Sequence, residues 1–457
     1  MDADVPVPQL LPATPTTALG SESVDSSRLT EVAIPLVKIP ERPRPLVELG
    51  SAFLGTGPLP TGFTIPGGAT WQPRFLTWGV LRSGIFDVEL GNDSRRQAWV
   101  NRLDLFGQVN FTPTERIIAS FRPLDKDGQF AGYTFAPDHR TEDDHFNSTV
   151  RTLYFEGDFG ELFPSLDKKD KIALDYGFAV GRFPAVFQEG MLINDPIDAV
   201  GIVRNSLRPS ASFSNLRLAG IVSWANVNRG GTNLKDTSAK LFGLFTEFDV
   251  PRSTVNIDLI YVNSSSSATG SGLYGGISAV QRIAGELNST FRVLGSYAVD
   301  AETASVGTGA LAYTALSWTP GRSEDVVYLN VFGAFRNYTP AARDAGLGGP
   351  LDPVGILYES VGQGAGYGNV LSNQANRAYG GALGYQRIFN HTRTQVVLEL
   401  GARRGTRAPD NKVDAAVALR LQQALGRHFI ARIEGFAHPR EGQSTQYGGR
   451  YELAVKF

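Results

Sequence analysis

After Trp71, apolar and polar residues alternate almost one for one in run after run. The clearest run closes the chain: Tyr451, Leu453, Val455 and Phe457 alternate with Arg450, Glu452, Ala454 and Lys456. Successive side chains of a strand point to opposite faces, so this run predicts a strand with one apolar and one charged face. The same pattern sets Leu103, Leu105, Val109 and Phe111 against Arg102, Asp104, Gln108 and Asn110. It sets Leu216, Leu218, Val222 and Trp224 against Asn215, Arg217 and Ser223. Further along, Val255, Ile257, Leu259 and Tyr261 alternate with Asn256 and Asp258. Near the end, Leu398, Leu400, Val417, Leu419, Leu421 and Ile433 are interleaved with Glu399, Arg403, Asp414, Arg420, Arg432 and Glu434. About eighteen such strands fit between residues 73 and 457, or sixteen if those near 199–206 and 277–285 are dropped.

The connections sort into two kinds. Short turns stand at Pro113-Thr114-Glu115, Pro251 to Thr254, Pro320 to Asp325, Asn390 to Arg393 and Leu425 to His428. Longer polar or glycine-rich connections run from Asp125 to Phe146, Phe183 to Ser212, Asn263 to Gly276 and Tyr338 to Asn376. Short and long alternate, as they do in membrane barrels with tight turns on one side and long loops on the other. An even strand count puts both chain ends on the short-turn side. A soluble propeller would need a repeat of blade length, and none is visible. Closure also removes the exposed edges that so many strands would otherwise leave. The expected fold is all-β: a transmembrane antiparallel up-and-down β-barrel of about eighteen strands over residues 73–457.

Residues 1–72 read differently. Eleven prolines between Pro6 and Pro66 interrupt every candidate element. Proline fixes φ and removes a donor, so regular ladders fail here. This stretch is expected to be a proline-rich extension on the short-turn side, disordered or folded in as a plug. Asp2 directly after Met1 does not open a signal peptide, so the start reads as that of a processed chain.

Composition narrows the chemistry. There are 51 Gly, 27 Phe and 15 Tyr but only 2 Met, which suits strands and tight turns. The absence of cysteine removes disulfides, thiolate metal sites and thiol nucleophiles. Lys plus Arg number 43 against 45 Asp plus Glu, so no basic footprint for nucleic acid exists.

The closing strand, the turn asymmetry and the hairpin stretch from Phe155 to Phe163 resemble the large Gram-negative outer-membrane porin and export-channel barrels. The resemblance spans about Phe75 to Phe457 and implies an outer-membrane location. It implies passage of small polar or charged solutes, with the bilayer as partner and a homo-oligomer as an option. A polysaccharide-type exporter, or a barrel sheathing a partner such as an electron conduit, is the alternative. No cofactor or metal and no enzymatic activity is expected, because the five histidines stand in no catalytic spacing. The acidic connection around Asp125-Lys126-Asp127-Gly128 lacks the rest of a calcium loop.

If the apolar faces meet lipid, the charged faces line the lumen. The expected pore-lining residues are Arg102, Asp104, Arg217, Asp258, Arg292, Arg336, Glu399, Arg403, Asp414, Arg420, Arg432, Glu434, Arg450 and Glu452. Rings of fixed charge of this kind set selectivity in pores. The connection from Phe183 to Ser212 carries Met191, Leu192, Ile193, Val200, Ile202 and Val203, too many aliphatics for a loop in water. It is the expected inward constriction loop, presenting Asp195, Asp198, Arg204 and Arg208.

Overall fold

The structure is a computed structural model, and it describes residues 43–51, 60–91, 95–136, 139–166, 174–210, 214–321, 323–360, 369–408, 411–440 and 444–457. Eighteen wall strands follow one another. They are β1 (Arg74–Glu89), β2 (Arg95–Asn110), β3 (Arg116–Phe121), β4 (Val150–Asp158), β5 (Tyr176–Phe187) and β6 (Ile193–Leu207). Then come β7 (Asn215–Ala225), β8 (Lys240–Val250), β9 (Ser253–Asn263), β10 (Gly272–Ile283), β11 (Leu287–Ala298) and β12 (Gly309–Trp318). The last six are β13 (Val326–Asn337), β14 (Asn376–Phe389), β15 (Thr394–Gly405), β16 (Val413–Leu425), β17 (Phe429–His438) and β18 (Gln446–Lys456). Each pairs antiparallel with the next, and β18 pairs with β1 from Tyr447↔Glu89 to Lys456↔Val80, which closes the barrel. Both runs whose loss would leave sixteen are strands.

Alternation puts large apolar side chains on the outer face. Ile257, Leu259, Val293, Leu398, Leu400, Leu419, Ile433 and Tyr451 are all exposed. Exposed aromatic residues gather at both rims: Trp99, Trp224, Tyr261, Tyr297, Phe335, Tyr379 and Tyr447 near one end, and Tyr176, Trp318, Tyr385, Phe389 and Phe429 near the other. An apolar band between two aromatic girdles is the surface a bilayer requires. Among the described residues, no helix is long and apolar enough to cross a membrane.

The two ends differ as the connections forecast. The turn end carries links such as 251–252, 284–286, 390–393 and 426–428, while the loop end carries 122–149, 226–239 and 338–375. The described part of the N-terminal extension packs at the turn end. Val47–Leu49 pairs with Phe75–Thr77 of β1, and Trp71 packs on Phe111 with ring centroids 4.3 Å apart and the planes tilted by 32°. Residues 1–42 and 52–59, which hold much of the extension, lie outside the described residues.

One expected loop is mostly strand. Between Phe183 and Ser212, only 188–192 and the stretch after Leu207 are not in β5 or β6. The two strands pair from Tyr176↔Arg204 up to Phe187↔Ile193. Their pairing with the wall is shorter: β4 holds β5 only through Arg182, and β7 holds β6 only from Asp198 onward. Beyond that level the hairpin leaves the wall and enters the lumen.

Candidate permeation path

The lumen hairpin turns at Gln188, Glu189 and Gly190, whose φ angles are 54°, 53° and 78°. Two non-glycine residues in the left-handed region are costly and persist only where the surroundings hold them. Here the opposite wall holds them. Gln188 Nε2 donates to Asp258 Oδ2 on β9 at 2.6 Å, and Arg292 of β11 donates to Gln188 Oε1 at 2.9 Å and to Glu189 Oε2 at 3.1 Å. Tyr338 donates its hydroxyl to the Met191 carbonyl at 2.9 Å, and Arg343 donates to the Gly190 carbonyl at 2.8 Å. A parallel bridge joins Ile193 and Asn194 to Ala342 and Arg343.

The second lumen segment is the long connection after β13, described over 338–360 and 369–375. Glu399, fully buried on β15, accepts from the backbone N–H of Ile356 at 2.9 Å and of Leu357 at 2.8 Å, and from the Tyr328 hydroxyl. Asn330 donates to the Val354 carbonyl at 2.8 Å, and Tyr358 donates to the Ala402 carbonyl at 2.7 Å. Hairpin and loop bury Met191, Leu192, Ile193, Ile197, Leu351, Val354, Leu357 and Tyr358 against inner-wall residues such as Leu241, Ile260, Leu294 and Leu311. Burying a side chain of this size contributes about 1.5–3 kcal/mol, so this half of the lumen is a packed core.

The other half carries charge. On β16, β17 and β18, Arg420, Glu434 and Arg450 stand opposite one another across the strands. Arg420 donates to Glu434 at 2.6 Å and also pairs with Glu359, which the long connection extends toward it. Arg450 donates to Glu434 at 2.9 Å. Toward the turn end, Arg82 meets Glu452 at 2.7 Å, and Arg432 lies 3.8 Å from the same carboxylate. Arg102 and Arg122 share Asp104 at 2.8 Å and 2.7 Å, and Arg122 also reaches Asp125 at 2.9 Å. The side chains of Arg82, Arg102, Arg122, Arg420 and Arg432 keep 13–17% of their surface open to solvent although they point into a closed barrel. At the loop end a cavity of about 730 Å³ opens beside this wall, lined by Arg122, Asp125, Arg151 and Lys235 among others.

The expected site residues divide accordingly. Arg102, Asp104, Arg420, Arg432, Glu434, Arg450 and Glu452 come together on the charged wall. Arg217 also faces inward, near the turn end of β7. Asp258, Arg292 and Glu399 face inward but hold the packed segments. Arg403 ties the long connection through the carbonyls of Ser372 and Gln374, and Asp414 sits 3.7 Å from His438 near the loop end. Arg336 does not line the lumen: its φ of 57° breaks the strand register, and it pairs with Glu302 at the loop-end rim.

The constriction set needs correction. Asp195 is buried in the lumen hairpin and accepts from the Asn228 N–H and amide at 2.8 Å and 2.6 Å. Asp198 marks where β6 leaves the wall and is bound by Arg182 at 2.6 Å. Arg204 and Arg208 lie at the turn end, Arg204 beside Asp175 at 2.9 Å, because that half of the segment is wall strand. Arg82, Arg122 and Glu359 were missed. Arg82 obeys the inward parity of β1, and the aliphatic run around Glu359 is the same cue that exposed the hairpin. Asp125 spends its oxygens on Arg122 and the Gly128 N–H, and no metal-binding cluster occurs among the described residues.

No family model matches the chain, and no curated protein matches it. Solved structures do. The outer membrane protein OpdK of Pseudomonas aeruginosa superposes with a TM-score of 0.53 at 14% identity, covering 83% of this chain and 98% of that one. OccAB3 of Acinetobacter baumannii gives 0.53 at 10% identity over 84% and 99%. OccK11 (OpdR) of P. aeruginosa gives 0.50 at 10% identity over 84% and 96%. With its lipid-facing outer surface and closed eighteen-stranded wall, this chain has the outer-membrane porin fold.

Proposed function

We propose that the protein is an outer-membrane channel for small polar solutes, with the passage running along the charged wall from β16 through β18 to β3. The observation that carries this reading is the solvent access kept by five inward arginines inside a closed barrel whose opposite side is filled by the hairpin and the long connection. Charged groups at a lumen surface replace part of a solute's hydration shell and so favour entry of ions over apolar molecules. Six arginines (Arg82, Arg102, Arg122, Arg420, Arg432, Arg450) face five carboxylates (Asp104, Asp125, Glu359, Glu434, Glu452), which favours weak selectivity with a lean toward anions. Guanidinium forks suit carboxylates in particular. OpdK, one of the structural neighbours, has been solved with vanillate, a small carboxylate, and solutes of that class fit this wall.

A lumen filled on one side by the chain's own segments leaves little room for a partner protein, which weighs against a sheath. The neighbours are channels rather than enzymes, which fits transport rather than catalysis. The test is single-channel recording in a planar bilayer under a salt gradient. Discrete steps with a mild anion preference, interrupted by small carboxylates, are expected. Membrane insertion without conductance would overturn the proposal.

A further inference from the structure

Beneath the lumen hairpin, facing the turn end, lies a second cavity of about 470 Å³ that the charged wall does not contribute to. Its roof is aromatic: Phe183 and Phe187 from the hairpin, with Phe187 stacked on Phe245 of β8 at a centroid distance of 3.5 Å. Along its side runs a transverse row of inward residues on neighbouring strands. Arg217 stands opposite Glu247, and Glu247 opposite Asn256.

These polar groups are not used to hold the fold. Among the described residues, neither Arg217 nor Glu247 makes a hydrogen bond or an ion pair, although they face each other across β7 and β8. The other charges lining the cavity are spent: Asp258 on Gln188, and Arg292 on Gln188 and Glu189. A free cation and a free anion side by side, under an apolar roof, match a ligand that carries both signs and an apolar body. A simple anion would meet Glu247, and a simple cation would meet Arg217.

We propose that this cavity is a binding subsite for zwitterionic solutes with an apolar body, of which an α-amino acid with an aromatic side chain is the simplest. Arg217 receives the carboxylate, Glu247 the ammonium group, and Phe183, Phe187 and Phe245 cover the side chain. The inference rests on the channel reading for access, but its test separates the two.

The probes are L-phenylalanine, 3-phenylpropanoate and 2-phenylethylamine, which share one apolar body and carry both charges, the negative alone or the positive alone. In single-channel recordings, phenylalanine should interrupt the current with dwell times about tenfold longer than either analogue, the value of one charge-assisted hydrogen bond. Arg217→Gln should reduce phenylalanine to the level of 2-phenylethylamine, and Glu247→Gln to the level of 3-phenylpropanoate. The double exchange of Arg217→Glu with Glu247→Arg should restore the preference, which a merely structural role would not. Equal dwell times for the three probes in the unaltered protein overturn the subsite whatever the variants do, while conductance itself upholds the channel. If the protein does not conduct, the channel reading fails, and calorimetric titration of the detergent-solubilised protein with the same probes decides the subsite: tighter binding of phenylalanine supports it, and its absence overturns it.

Discussion

The two halves of the lumen are built from the same strand pattern and do opposite things. From β8 to β14 the inward positions are largely apolar or small, and the hairpin at 188–192 and the described parts of the long connection, 338–360 and 369–375, fold onto them until Leu192, Ile260 and Leu357 touch no solvent. From β16 round to β3 the inward positions are long and charged, and they bind one another across the strands instead of collecting a cover. Charge on the wall repels an apolar plug because desolvating it without full pairing is costly. Where Glu399 does stand in the packed half, it is fully paired with three donors. Inward charge content therefore decides which side of the barrel fills and which stays wet.

Substitutions should break this contrast in graded steps. The largest effect is expected from Glu399→Ala, which leaves the buried Leu357 N–H, the half-buried Ile356 N–H and the Tyr328 hydroxyl without their acceptor, a loss on the order of 5 kcal/mol. The long connection should loosen, seen as a lower denaturant midpoint together with larger, noisier conductance steps. Leu192→Ala should cost about 3 kcal/mol through the cavity it opens and raise conductance in the same direction. On the charged wall the readouts should separate. Arg102→Gln leaves Asp104 still held by Arg122, so stability should fall by only about 1 kcal/mol while the reversal potential in a salt gradient moves toward cation preference. A stability loss as large as that of Leu192→Ala, with unchanged selectivity, would contradict the division.

The smallest expected effect concerns pH. Asp236, in the loop-end connection over the packed half, is raised by burial, but hydrogen bonds from Thr269, Ser264 and Ser238 outweigh this and hold its carboxyl at about 2. A depressed carboxyl contributes stability above its unfolded value near 3.8, and that contribution disappears as pH falls toward 2. Asp236→Asn should lower stability at neutral pH, where the carboxylate also faces the buried Arg229 at 3.6 Å, and flatten the acid dependence, so that thermal unfolding of the two proteins converges between pH 5 and pH 2.

Much of this was readable in the chain. Period-two alternation located the wall and its inward face, because a strand that separates lipid from water must alternate strictly. Turn lengths told the two ends apart. The aliphatic excess around Met191 pointed to a segment folded inward. What alternation does not show is where a strand stops belonging to the wall: β5 and β6 keep strand pairing after they leave it, so the pattern alone groups Arg204 and Arg208 with a tip that lies far along the hairpin. Nor does parity distinguish an inward carboxylate that pairs with wall arginines, such as Glu452, from one that anchors a loop, such as Glu399. That difference depends on residues dozens of positions away in sequence.

Solutes are expected to follow the charged wall and not the packed half. The chain contains no cysteine, so single introduced thiols can report on access directly. Arg432→Cys and Leu294→Cys would each be exposed to a small cationic thiol reagent during single-channel recording. A stepwise fall in current is expected for Arg432→Cys and no change for Leu294→Cys. Modification of Leu294→Cys with loss of current, while Arg432→Cys stays inert, would contradict this route.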